Sequence, residues 1–193
     1  MKFVYAEGAT PFNQDDSAQL IPKHITTQTQ LNEWEQANII IAEKWLFSRK
    51  RKDLLTIDFI KKLHLKMFDK TWLWAGKFRH HQTNIGLPSF QIQPTLKILC
   101  DDVQFWISNY TFPIDEVAIQ FHHRLVHIHP FPNDNGRHSR LMADALLIQM
   151  STSRFSWGRK NLALSSDTRH QYISTLKLAD KGDYQHLLKF ARS

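Results

Sequence analysis

His129-Pro130-Phe131-Pro132-Asn133-Asp134-Asn135-Gly136-Arg137-His138-Ser139-Arg140 joins two apolar-periodic segments, and this junction decides how the chain folds. Before it, Val117, Phe121, Leu125 and Ile128 recur at steps of three and four, which predicts an amphipathic helix over 115–128 ending at His129. Pro130 stops that helix, because proline disfavours the α conformation in the residue before it. After it, Leu141, Met142, Ala145, Leu146 and Ile148 restart helical spacing from about Arg137. Apolar residues cover most of this second helix's circumference, so it is predicted to be the buried, central helix of the domain.

Asn133 to Gly136 then form a tight turn at the N-terminus of the central helix. Unpaired N–H groups and the positive dipole end make such a turn an anion site. Arg137 and Arg140 lie one turn apart on about the same face and can reach one polyphosphate. His129, with an ordinary pKa of about 6.5, is a base suited to neutral pH. A base, oriented N–H groups and cations are the parts that attack on a phosphate ester requires. Taken alone, the same residues also fit a plain loop with Asn-Gly turn chemistry and solvated arginines.

Outward from the junction, the pattern stays helical. Residues 1–30 read as an N-terminal arm, irregular through Gly8, Pro11 and Pro22. Leu31 to Phe47 forms a helix started by Thr27 or Thr29. Thr56 caps Ile57–Phe68, whose stripe is Phe59, Ile60, Leu63 and Met67. Residues 77–93 hold the best short strand pair, broken by Asn84–Gly86 and Pro88. Pro94 opens a helix to about Asn109, and 165–179 and 183–191 close the chain. The expected fold is all-α, one domain over 1–193 with a single small β-hairpin at most.

Composition narrows the functional classes. With 193 residues, 42% hydrophobic and 22% charged, the chain can bury a full core. A single cysteine, Cys100, excludes an intramolecular disulfide framework. No apolar leader or eighteen-residue apolar window is present, which predicts a cytoplasmic protein without a membrane. Net charge is +7, but its densest cluster, Arg49 to Lys52, follows a helix and complements that helix's dipole. No zinc-finger spacing or RNA-binding motif accompanies it, so nucleic acid is not an expected partner. His123 and His127 stand at i,i+4, yet Arg124 occupies the place a zincin gives to glutamate, and packing explains these histidines and His122. Trp72, Trp74 and Phe78 read as core packing ahead of the strand pair.

The string resembles the signature of the Fic family, His-x-Phe-x-Asp/Glu-Gly-Asn-Gly-Arg-x-x-Arg, with His129, Phe131, Asn135, Gly136, Arg137 and Arg140 matching. Trp74-Ala75-Gly76-Lys77-Phe78-Arg79, Asn84-Ile85-Gly86 and Phe90 resemble its flap, and Tyr172 to Asp183 its closing helices. The resemblance runs from about residue 30 to the end, with details most similar to the branch called mobile mystery protein B. It implies a Fic-type helical bundle that transfers AMP from ATP, with Mg²⁺, to a Ser, Thr or Tyr hydroxyl of a target protein. His129 would be the general base and Phe131 a buried anchor. Asn135, Gly136, Arg137 and Arg140 would bind the phosphates. Thr83, Asn84, Ile85, Gly86 and Phe90 would hold the target peptide by strand addition.

Two positions depart from the signature. Asn133 stands where the family carries an acidic metal ligand, and Asp134 stands where it carries glycine. Asp134 tolerates positive φ, and the pair Asn133 and Asp134 is the expected Mg²⁺ site. Family restraint by a Ser/Thr-x-x-x-Glu-Gly/Asn motif finds a partial match in Thr29 to Glu33, with Trp34 in the last place, making Glu33 the candidate inhibitory residue. A separate inhibitor is the other possibility, such as the small DNA-binding protein that mobile mystery protein B genes often accompany. The departures leave two alternatives to adenylyl transfer. One is other Fic chemistry: a different nucleotide, phosphotransfer or AMP removal. The other is a catalytically weak binding module.

Overall fold

The computed structural model describes residues 14–158 and 166–193. Residues 1–13 of the expected arm therefore lie outside the described residues, as does residue 165, the expected start of the penultimate helix. The described residues are helical: α1 (Gln14–Ala18), α2 (Gln28–Phe47), α3 (Ile57–Phe68), α4 (Ile92–Ser108), α5 (Ile114–Ile128), α6 (Asn135–Gln149), α7 (Ser166–Ala179) and α8 (Gln185–Arg192). The described part of the arm is partly ordered into the core. Leu20 and Ile25 are buried, Leu20 bridges to Trp72, and α2 already starts at Gln28. Thr27 caps it, its hydroxyl accepting from Gln30 N–H while the Gln30 side chain returns the bond to the cap.

Helix α6 is the centre of the bundle. Leu141, Met142, Ala143, Leu146 and Leu147 are all buried, and α6 packs on α5, α3 and α2. Asp144 is buried there too, accepting from Trp157 Nε1 and Phe155 N–H and so tying the segment after α6 onto the bundle. None of the described helices is long and apolar enough to cross a membrane.

The expected β-hairpin over 77–93 is absent: no strand forms among the described residues, and a 3₁₀ turn covers Ser89–Gln91. The backbone groups that a hairpin would pair internally go elsewhere. Arg79 N–H donates to Pro130 O at 3.0 Å and Leu87 N–H to Ile128 O at 3.4 Å. The Arg79 guanidinium donates to His81 O and Leu87 O. Strand propensity yields to context when a segment finds its hydrogen bonds on another element.

Candidate functional site

The signature loop is built on backbone conformations that the sequence makes accessible. His129 terminates α5 with φ 54°, its N–H donating to Leu125 O, and Asp134 precedes α6 with φ 63°. Asn135 zips the loop between them. Its Oδ1 accepts from Phe131 N–H at 2.9 Å, and its Nδ2 donates to Phe131 O at 2.8 Å. Phe131 is fully buried, with its ring stacked 3.7 Å from that of His64. His64 in turn accepts from Gly76 N–H at Nδ1 and faces Asn133 O with Nε2. The Asn135 side chain is thus a loop brace. No side chain caps α6, so its first-turn N–H groups are left for another acceptor.

His129 is buried and held from the flap. Arg79 Nε donates to His129 O at 2.7 Å, and Nη2 reaches Ile128 O. Gly86 has φ +95°, and a Cβ there would lie 2.4 Å from His129 Cβ, so only glycine lets the flap backbone rest on this histidine. Burial, reinforced by the Arg79 charge, lowers the His129 pKa to about 4. The imidazole is therefore neutral at pH 7. Thr83 turns its hydroxyl onto Ile85 O, while Asn84, Ile85 and Phe90 are exposed at the rim of this segment.

The two signature arginines occupy different surroundings. Arg137 Nε donates to Asp134 Oδ1 at 2.8 Å, and its Nη2 contacts Asp134 Oδ1 as well and Glu35 Oε2 at 2.5 Å. Glu35 is buried on α2, and its Oε1 accepts from Trp72 Nε1 at 2.8 Å. Burial opposes the Arg137 charge, but Asp134 and Glu35 outweigh it and raise the guanidinium pKa. Burial pushes the Asp134 pKa up to about 7. Arg137 opposes that rise and Glu35 adds to it, since two carboxylates share one guanidinium. Asp134 Oδ2 is buried without a partner, and Asn133 Oδ1 accepts from Asp134 N–H. Arg140 instead lies 5.5 Å from the Tyr172 ring centroid.

Glu33 is exposed on α2, so the acidic side chain that this helix sends to the signature is Glu35. Two residues rotate a helix by about 200°, which places Glu33 on the outer face when Glu35 faces inward. Glu35, Arg79 and Tyr172 complete the site: Arg79 and Tyr172 fall in stretches that the resemblance marks, without a role assigned there, and Glu35 falls in none. Their partners in the signature region stand dozens of residues away. The one available hint was a glutamate among apolar neighbours on the inward side of α2. His123 and His127 share Asp180, and no cluster of three metal-ligating side chains occurs among the described residues.

Residues 54–147 match the model of the Fic/DOC family. Protein adenylyltransferase Fic of Aedes aegypti is 28% identical over 72% of this chain and 28% of its own length. Its Drosophila mojavensis counterpart is 31% identical over 72% of this chain and 27% of its own length. The chain thus matches less than a third of these curated relatives. Among solved structures, Fic-1 of C. elegans has TM-score 0.69 at 24% identity, covering 91% of this chain and 51% of that one. BepC of Bartonella tribocorum with bound AMPPNP has TM-score 0.69 at 16% identity, covering 93% and 97%. Both have the same fold.

Proposed function

Because this chain belongs to the Fic/DOC family, we propose that it is a protein adenylyltransferase, moving AMP from ATP to a Ser, Thr or Tyr hydroxyl of a target protein. One observation carries the reading: a buried, neutral His129 ends α5, and residues 130–134 lead straight from it to the N-terminus of α6, which no side chain caps and which bears Arg137 and Arg140.

In this reading His129 accepts the proton of the target hydroxyl as its oxygen attacks the α-phosphorus, and pyrophosphate leaves. The first-turn N–H groups around Asn135 and Gly136 receive the α- and β-phosphates, and Arg137 and Arg140 hold the β- and γ-phosphates. Phe131 and Asn135 keep the loop rigid while this happens. The flap residues Thr83, Asn84, Ile85, Gly86 and Phe90 hold the target segment by main-chain bonds. Asp134 Oδ2, buried and unpartnered, fits a hard cation, so Asp134 with Asn133 would hold Mg²⁺. Bound there, Mg²⁺ would neutralise phosphate charge.

The lowered His129 pKa sets the pH behaviour. The base is competent above about pH 4, so the acid limb of kcat/KM falls well below pH 6.5. The test is labelling of a cell lysate with α-labelled ATP, GTP, CTP and UTP. Wild type labels with ATP, and His129→Ala loses at least about 10²-fold while keeping its ATP affinity. Equal labelling by the two proteins overturns the mechanism.

A second reading has its own support: Arg137 is already engaged by Glu35 and Asp134. In that reading the site is a weak or restrained module, with Glu35 on the first signature arginine, Arg137, where the family's restraint would set Glu33 on the second, Arg140. A small DNA-binding protein of the kind expected for the mobile mystery protein B branch would be an external restraint, and the cytoplasm the place of action.

A further inference from the structure

Two buried groups at the edge of the site have no part in the mechanism above. His122 on α5 is fully buried, and Tyr172 on α7 is nearly so. The Tyr172 hydroxyl and His122 Nε2 are joined by a hydrogen bond of 3.0 Å, which fixes the rotation of the phenol ring within its plane. The Arg140 guanidinium lies 5.5 Å from the centroid of that ring, within range of the attraction between a cation and an aromatic face, and donates to the Tyr172 hydroxyl. Arg140 Nη1 and Tyr172 Oη each lie 3.9 Å from the position a Cβ on Gly136 would take. Both atoms therefore lie beside Gly136 in the first turn of α6. The His122 imidazole is itself uncharged: burial, and then the Arg140 charge, hold its pKa well below its ordinary value.

We propose that Tyr172 and His122 are positioning residues that hold Arg140 over Gly136, ready for the terminal phosphates of the nucleotide. The proposal rests on the phosphate-binding role given to Arg140 above. A long arginine side chain must surrender rotamer freedom to bind a phosphate, and a fixed aromatic platform removes part of that loss in advance. A neutral platform does so without competing for the guanidinium, as a carboxylate would. Tyr172 comes from α7 and His122 from α5, so the arrangement also makes Arg140 report on the packing of α7 against the signature.

The test uses the full chain. Tyr172→Phe keeps the ring and removes the hydroxyl's bonds to His122 and to Arg140, while His122→Met removes only the support behind the hydroxyl. In the nucleotide-free protein, ¹⁵N relaxation at Arg140 Nε is expected to show an ordered side chain in wild type and a mobile one in the variant. ATP affinity is expected to fall about 2- to 10-fold, the loss that goes with immobilising one such side chain on binding, while AMP affinity stays constant. The variant should add nothing in an Arg140→Ala background. An Arg140 that stays equally ordered in Tyr172→Phe, or an ATP loss that persists without Arg140, overturns the proposal. If Tyr172→Phe does not fold, His122→Gln, which keeps a hydrogen-bonding partner, is compared with His122→Met, which does not. Equal Arg140 order in those two also overturns it. A wild type that fails to bind ATP sinks the proposed activity instead, and the relaxation measurement still decides the positioning role.

Discussion

Arg137 and Arg140 stand one turn apart on α6, yet one is held by charge and the other by neutral groups. Arg137 is paired with Asp134 beside it in the chain and with Glu35 from α2. Arg140 rests on the Tyr172 ring, whose hydroxyl is bonded to His122. Both arrangements immobilise a guanidinium. They differ in what an incoming phosphate must do: displace two paired carboxylates at Arg137, or add to a cation at Arg140 that no carboxylate contacts in a salt bridge among the described residues. Identical residue types in one motif can therefore have unequal functional weight.

The sharpest way to break this comparison is to remove each arginine in turn. Arg140→Ala should weaken ATP binding by roughly 1.5–3 kcal/mol, the range for hydrogen bonds to charged groups. Arg137→Ala should cost less, because its phosphate contact is made only after contacts to Glu35 and Asp134 are given up. Calorimetry showing equal losses would mean that the acidic pair does not compete. Unchanged affinity in both variants would remove the phosphate site altogether.

Glu35→Gln acts on one side only. The amide preserves an acceptor for Trp72 Nε1 but withdraws a negative charge from Arg137. If Glu35 restrains the site, ATP affinity should rise roughly tenfold, near the ~1.5 kcal/mol end of the same range, with labelling rising alongside. If Glu35 instead orients Arg137 for phosphate, both should fall. Glu33→Gln, on the outer face, should change neither.

These distinctions mark what could be read from the chain. The helices around the signature and the buried course of α6 follow from apolar spacing and Pro130, because their causes lie within a few residues, whereas the anchoring of Phe131, stacked on distant His64, was implied only by the resemblance. The left-handed turn at Asp134 is equally local. The strand pair expected over 77–93 does not form, because the Arg79 guanidinium takes the His81 and Leu87 carbonyls and the backbone bonds to residues 128 and 130. Pairing across the fold decided the rest: Glu35 meets Arg137 across 102 positions and Tyr172 meets His122 across 50. No periodicity records such distances.

A smaller effect tests the electrical side of the comparison. The folded Asp134 pKa of about 7 is above its ordinary 3.8, so the native state keeps a proton that the unfolded chain releases between those values. The stability this contributes is present in acid and lost as pH rises towards 7. Asp134→Asn cannot titrate, so relative to wild type it should gain stability between pH 5 and pH 8. The gain should be on the order of 1 kcal/mol, short of the full shift because Arg137 stays beside the carboxylate. The buried histidines of both proteins titrate alike and cancel. Urea denaturation at the two pH values measures the difference, and a relative loss at pH 8 would contradict the raised pKa.

The smallest expected change separates two roles for Asp134 itself. Its unpartnered Oδ2 can serve a cation, whereas its charge also holds Arg137 and repels phosphate. Asp134→Gly restores the family's small residue, and glycine accepts the φ of 63° without strain. If Asp134 helps hold Mg²⁺, the variant should need a few-fold more Mg²⁺ for half-maximal labelling, since Asn133 alone supplies a neutral oxygen. If Asp134 only competes, Arg137 is released and ATP binds more tightly at every Mg²⁺ concentration. The two roles are opposite in sign, so one Mg²⁺ titration of both proteins decides between them. The metal role is the expected result: Asp134 Oδ2 is buried with no donor while the Glu35 carboxyl crowds the same guanidinium, and a cation would relieve both carboxylates.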